Sequence, residues 1–332
     1  MAIIDAYFNF INSIQYQSVE KIDSAIKNTF SDNASIHAFH PVNKVTNPQA
    51  IYEQFWLPFA TSFPNLERRD DIVFEGRFND KDWVCATGHY VSTFTQDWLG
   101  IPASGDVTFI RYGEFYEFKD NKIVDAYIIY DVPHVMAQAG YNMLPPSLGA
   151  EILIPGPATK DGIMTGSSDT SQTAHSLNVV EAMIAGLMQF DGKNLASMPI
   201  EQFWHPQFMW YGPFGTGSTR GLEGFQSGHQ KPFLVAFPDR KGGNHVARLA
   251  HNNYVASTGW PSINATHLGS GWCGFPASNK RITMRVMDWW RVQDKIEENW
   301  VFIDKLDLLQ QFGYDLLARL DEAVTIRKNR TY

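Results

Sequence analysis

Two carboxylates in this chain stand alone in rows of apolar and aromatic residues. Around Glu114, the alternate residues Ile110, Tyr112, Glu114, Tyr116 and Phe118 share one face if the run is a strand; around Asp288 the row is Met284, Val286, Asp288, Trp290 and Val292. Burial in such a row destabilises the anion and raises the carboxyl pKa toward neutrality, where the group can act as a general acid or base. The competing reading is an ion pair with Arg111 or Arg285, each three residues earlier. That spacing on a regular strand sends the two side chains to opposite faces, which weakens the pairing. Arg285 also counts among the residues that could contact a substrate.

A turn at Asp294-Lys295 sets Asp288 opposite Val301 and Trp290 opposite Asn299. Asn299 then shares the face of Asp288, able to donate and accept, beside an indole on which a ring could stack; an Asn satisfying backbone groups is the alternative. Tyr211 and His37, at matching positions of two short apolar runs, are further hydrogen-bonding candidates, and Tyr112 accompanies Glu114. Tryptophan is dense late in the chain, Trp272 and Trp290 included, which suits a ring-shaped ligand, although core packing accounts for most of it. No H-x-x-x-H, H-E-x-x-H or paired C-x-x-C occurs, so no dedicated metal site is expected. With no phosphate loop, no G-x-S-x-G and no G-x-G-x-x-G after a strand, no cofactor is expected either.

The elements that must position these residues occur twice. W-L-G-I-P-A-S at Trp98 and W-C-G-F-P-A-S at Trp272 each precede an alternating run, a D-N-K or D-K turn, a second run and an apolar stretch ending in glycine. Helical periodicity is predicted over Ile3 to Ile14, Ser18 to Asn28 and Pro48 to Phe59, with counterparts over Leu177 to Gln189, Asn194 to Phe203 and Leu222 to Phe233. Strands follow late in each half, which favours an α+β class with an antiparallel sheet over a parallel α/β sheet. The proline- and glycine-rich segment between the copies reads as an ordered strap and then a loose loop. The expected division is 1–143, a linker at 144–171, and 172–332.

At 332 residues and 44% hydrophobic content, two domains of ordinary size can each bury a core. A net charge of -8 argues against a nucleic-acid surface. Cys85 and Cys273 read as small core residues rather than a redox pair. The N-terminal run carries Asp5 within an amphipathic pattern, unlike a signal peptide, and no apolar run reaches membrane-spanning length. A cytoplasmic protein without membrane partners is the expectation.

Taken together, the paired early helices, a third helix leading into F-P-[ND], the G-x-P-A-S element and the closing D-[NG]-K-I hairpin resemble the SnoaL-like polyketide cyclase branch of the nuclear transport factor 2-like superfamily, here in tandem. The resemblance implies two cone-shaped α+β barrels, a curved antiparallel sheet wrapped around helices, joined as a pseudo-dimer within one chain, with further homo-oligomers left open. It also places His229, on the third helix, at the mouth of a cavity. The family's catalytic His corresponds to Glu114 and Asp288, and its catalytic Asp to Ile128 and Val301, which carry no proton; aldol cyclisation through that Asp is therefore not expected. The implied function is a cofactor-independent isomerase, lyase or cyclase acting on a small cyclic, oxygen-rich ligand. Asp288, Tyr211, Asn299, His229 and Glu114 are its catalytic candidates, and Trp290, Trp272, Arg285, Tyr112 and His37 its binding candidates. The alternatives are a non-catalytic binding or scaffold module, and a metal-dependent lyase using His229, His245 or His251. The second half is expected to be the active one.

Overall fold

Ile4, Tyr7, Phe10, Ile11 and Ile14 recur at helical spacing, and α1 (Ile3–Ile14) buries this stripe. In the computed structural model, which describes residues 2–330, α2 (Val19–Thr29) follows, then β1 (Phe30–Ala38) and β2 (Lys44–Thr46). The Asn47 side chain accepts the Ala50 amide at 2.9 Å and starts α3 (Pro48–Ile51), which continues through a π-helical turn at Tyr52–Trp56 into α4 (Leu57–Ser62). Four long strands, β3 (Glu67–Phe78), β4 (Lys81–Thr93), β5 (Val107–Lys119) and β6 (Lys122–Tyr130), then lead to α5 (Val132–Gln138).

The second copy repeats the plan. Helix α6 (Thr170–Leu187) is capped by Asp169, which accepts the Gln172 amide at 2.9 Å, and a short α7 (Ile200–Phe203) precedes β7 (Trp204–Tyr211) and β8 (Thr219–Arg220). Next, α8 (Gly221–Phe225) passes through a π-helical turn at Gln226–Gln230 into α9 (Lys231–Ala236). The remaining strands are β9 (Lys241–Gly242), β10 (His245–His251), β11 (Tyr254–Thr266), β12 (Arg281–Val292) and β13 (Ile296–Ile303), before α10 (Lys305–Phe312) and α11 (Leu316–Arg330).

The α+β class holds, but the expected barrels do not form. The first sheet runs β2-β1-β6-β5-β4-β3 and the second β10-β11-β12-β13-β7-β8, with β9 added beside β11, so each is an open row whose end strands are not joined. Nor are the sheets purely antiparallel, because β1 lies parallel to β6 and β7 parallel to β13. Closure would need the terminal strands to pair around a continuous ring. One end of each row is a strand of only three residues (β2) or two (β8), which cannot supply that ladder.

The chain separates into two compact units, one of residues 1–143 with 304–310 and 314–332, the other of residues 144–303 with 311–313. Most of the C-terminal helical segment thus belongs with the first unit, although the repeat pattern alone assigns it to the second copy. The carboxylate of Asp304 accepts the Asp307 amide at 3.2 Å, capping α10, and the His40 amide at 2.9 Å. Within the second unit, the strap after residue 144 lies along the outer face of the sheet: Trp300 donates its indole N–H to the Pro155 carbonyl at 2.9 Å, and the Ala158 amide donates to Glu298 at 3.2 Å. Among the described residues, no helix is long and apolar enough to cross a membrane.

Removing the Asp304 carboxylate deletes a helix cap and a buried charge-assisted bond. Asp304→Ala is therefore expected to destabilise the first unit by about 2 kcal/mol. Urea unfolding followed by circular dichroism reads this directly, and an unchanged midpoint would show that neither bond anchors the segment.

Candidate functional site

Strand alternation and the β12–β13 register build the site. Asp288 pairs with Val301 and Trp290 with Asn299, so Val286, Asp288, Trp290, Asn299 and Val301 present one face. Over that face lies a cavity of about 240 Å³, walled by α6 and by the α8–α9 segment. His229 sits on the π-helical turn and stacks on Trp210, ring centroids 4.0 Å apart and planes at 18°. A π turn widens the helix locally and changes the direction of side chains, which is why such turns recur at functional sites.

Asp288 is partly accessible, as befits a group on a cavity wall. Its carboxyl is nevertheless pushed up to about 7, chiefly because the surrounding protein desolvates the anion; a hydrogen bond from Asn299 and the charge of Arg248 act in the opposite direction without cancelling this. Asn299 Nδ2 donates to Asp288 Oδ1 at 3.3 Å and to the Trp289 carbonyl at 3.0 Å. The second bond fixes the amide, so Asn299 holds the carboxyl in one orientation. The group therefore lies near neutrality, inside an aromatic enclosure.

The structure brings together Asp288, Asn299, His229 and Trp290 from the sequence-derived candidates. It separates Tyr211 from them. On β7, Trp210 pairs with Asn299 and lines the cavity, whereas Tyr211 pairs with Trp300 and faces outward, its hydroxyl donating to Glu298 at 3.3 Å. The same alternation carries His37 to the outer face of the first sheet, where it stacks on Tyr127 and contacts Asp125 at 3.1 Å. Arg285 lies with its guanidinium 4.8 Å from the Trp260 ring centroid, and neither it nor Trp272 lines this cavity. Trp272 instead packs against Phe237 and Phe233. Of the other histidines, His245 lines the cavity and His251 is buried at the far end of β10. Among the described residues, no three His, Cys, Asp or Glu side chains gather where a metal ion could bind.

Glu114 occupies the same register, opposite Ile128, but in a different environment. It is fully buried and bound by Arg68 Nη1 at 2.7 Å and by the hydroxyls of Tyr116 at 2.8 Å and Tyr130 at 3.2 Å. Burial opposes the charge of Arg68, yet Asp70, whose Oδ1 accepts from Nε at 2.9 Å, and Glu114 outweigh that and keep the guanidinium firmly protonated. Tyr112 also joins this network, donating to Asp70. Glu114 is thus one side of an ion pair, whereas among the described residues Asp288 has no cation bound to its carboxyl.

Register explains the contrast. Asp70 pairs with Gly88 and His245 with Gly259, so the residue two positions earlier is Arg68 in the first unit and Gly243 in the second. By the same pairing, Tyr112, Tyr116 and Tyr130 correspond to Val286, Trp290 and Ile303. The second unit has no side chain where the guanidinium would stand, and a Cβ added at Gly243 would lie 2.3 Å from the Pro261 carbonyl oxygen. The partner of Glu114 was not legible because Arg68 comes from β3, two strands away from β5. The place of Trp210 was legible in principle, since Phe208 and Trp210 form the apolar stripe of β7.

An open mixed sheet packed against helices is thus present in duplicate, and in the second copy it encloses an apolar cavity with a raised carboxyl at Asp288. The profile of the SnoaL-like polyketide cyclases matches residues 5–139 and 189–312, and the chain belongs to that family. Similar solved structures include a candidate SnoaL-like polyketide cyclase from Jannaschia sp. CCS1, 16% identical over 43% of this chain and 93% of that one, with a TM-score of 0.36. IdmH, a candidate polyketide cyclase from Streptomyces antibioticus, is 16% identical over 42% of this chain and 99% of its own, at a TM-score of 0.34. An NTF2-like protein from Burkholderia xenovorans LB400 is 15% identical over 42% and 97%, at 0.33. No curated protein sequence matches the chain.

Two stability effects follow from the two carboxylates. Arg68→Met removes the cation that Glu114 and Asp70 share in the interior of the first unit and is expected to cost about 3–5 kcal/mol in chemical unfolding. A loss below about 1 kcal/mol would show that the network is incidental. Asp288 behaves oppositely: the folded chain keeps its proton up to about pH 7, the unfolded chain only to its ordinary value of 3.8, so its contribution to stability falls as pH rises through that window. Asp288→Asn, which does not titrate, is therefore expected to gain on the parent protein between pH 4 and pH 8 by as much as about 4 kcal/mol. Parallel unfolding curves across that range would show a normal Asp288.

Proposed function

We propose that the second unit is a cofactor-independent acid/base enzyme of isomerase, lyase or cyclase type, acting on a small cyclic, oxygen-bearing molecule. The observation that carries this reading is Asp288, a carboxyl raised to about 7 on the wall of an aromatic cavity. A group poised near the working pH exists in both protonation states and can take and return a proton in one catalytic cycle. As carboxylate, Asp288 removes a proton from a carbon next to a carbonyl; the C–H electron pair moves onto the carbonyl oxygen as an enolate. As carboxylic acid, it returns the proton to the same carbon or to another. Asn299 orients the carboxyl, Trp290 and Trp210 offer ring surfaces, and His229 borders the space where the oxygen would lie. In the first unit, Glu114 paired with Arg68 supports a structural role for that copy.

The test is proton exchange at the α-carbon of 2-tetralone in D2O, followed by NMR. Exchange is expected to be accelerated by the protein, to rise with pH through about 7 as the carboxylate forms, and to fall at least about a hundredfold in Asp288→Asn. Undiminished exchange in that variant, or a carboxyl ¹³C titration of Asp288 with its midpoint near 4, would leave a binding module as the better description.

A further inference from the structure

The charges around the Asp288 cavity are unevenly placed, and from this we infer that its ligand is an apolar body of two or three rings carrying a carboxylate at the end remote from Asp288. The inference deepens the reading above and concerns the same cavity. It does not depend on Asp288 transferring a proton.

Arg240 and Lys241 both line the cavity. The Arg240 guanidinium donates through Nη2 to the Leu187 carbonyl at 2.7 Å and lies 5.6 Å from the Phe190 ring centroid; neither neighbour carries a charge. Burial works against its cationic form, with no acidic group to offset the cost. Among the described residues, no carboxylate pairs with Lys241 either. The carbonyl end of α6 offsets part of this cost, and an anion in the cavity would offset the rest. The remaining N–H groups of Arg240 suit the paired oxygens of a carboxylate.

The carboxyl of Asp288 is too far along the sheet to serve as that anion. Gly242 pairs with Ile263, and Ile263 with Met284, which is four residues before Asp288 on β12. At about 3.3 Å per residue, the two levels are about 13 Å apart. Between them the sheet presents Ile263, Met284 and Val286, with His245 and Ser262 beside them and Trp290 beyond Asp288; this mainly apolar wall fits fused rings better than a sugar or a polar chain. The Leu187 carbonyl ends α6, and the negative end of a helix disfavours a doubly charged group beside it. A monoanionic carboxylate therefore fits this end better than a phosphate monoester.

The experiment uses the full chain at pH 6 and low salt, with 6-acetyl-2-naphthoic acid and its methyl ester as a matched pair, binding being measured by calorimetry. The ketone can accept a hydrogen bond from Asp288 while the acid or ester reaches Arg240 and Lys241. The acid is expected to bind at least about tenfold more tightly than the ester. Lys241→Gln, which leaves the Arg240 contact with Leu187 intact, should reduce that ratio, and the double variant with Arg240→Gln should bring it to about one. An ester that binds as well as the acid, a preference that survives the double variant, or no binding of either compound would each overturn the assignment. The ratio is measured without turnover, so it stands or falls separately from proton exchange by Asp288.

Discussion

A carboxyl group removed from water must either find a positive partner or keep its proton, and the two halves of this chain meet that constraint in opposite ways. Glu114 is bound by Arg68 and ringed by tyrosine hydroxyls; Asp288 accepts from the Asn299 amide and keeps its proton to about pH 7. The electrostatic cost is the same in kind for both. What differs is whether β3 or its counterpart brings a guanidinium into the interior.

That one difference also decides whether the interior is filled. In the first unit, Arg68 and the rings of Tyr7, Tyr90, Tyr112, Tyr116 and Tyr130 are all buried, with Arg68 resting 3.9 Å from the Tyr112 ring centroid. Such a network of linked hydrogen bonds holds its members together as a unit. In the second unit the matching positions are Gly243, Val286, Trp290 and Ile303, the last three on the cavity wall. The two copies of one scaffold thus differ at their centres, a buried ion-pair network in the first unit and a cavity around Asp288 in the second.

Much of the site could be reached by counting. The alternation in β12, the turn after it and the resulting neighbours Asp288, Trp290 and Asn299 are local features, and local features are what a sequence encodes most directly. His229 came instead from the likeness of its helix to one that borders a cavity in related proteins. Tyr211 and His37 lie off the cavity by a single residue of parity: each is a polar group in an apolar strand, and the pleat turns each toward the outer face while its neighbour turns inward. Trp272 lies off it for another reason, since an indole in a loop can serve a ligand or a core equally well, and here it packs on phenylalanines.

The sequence by itself determined the duplication, the α+β class, the family and the pairing of the last two strands of each half, because repeat, periodicity and turn chemistry act over a few residues at a time. Only the tertiary structure decided that the sheets stay open, that most of the C-terminal helical segment joins the first unit, and that Glu114 is clamped where Asp288 is free to titrate. Those outcomes depend on residues far apart in the chain, Arg68 with Glu114 and Asp304 with His40. No local pattern records such meetings, because only chain folding brings those groups within the few ångströms over which charges and hydrogen bonds are decided.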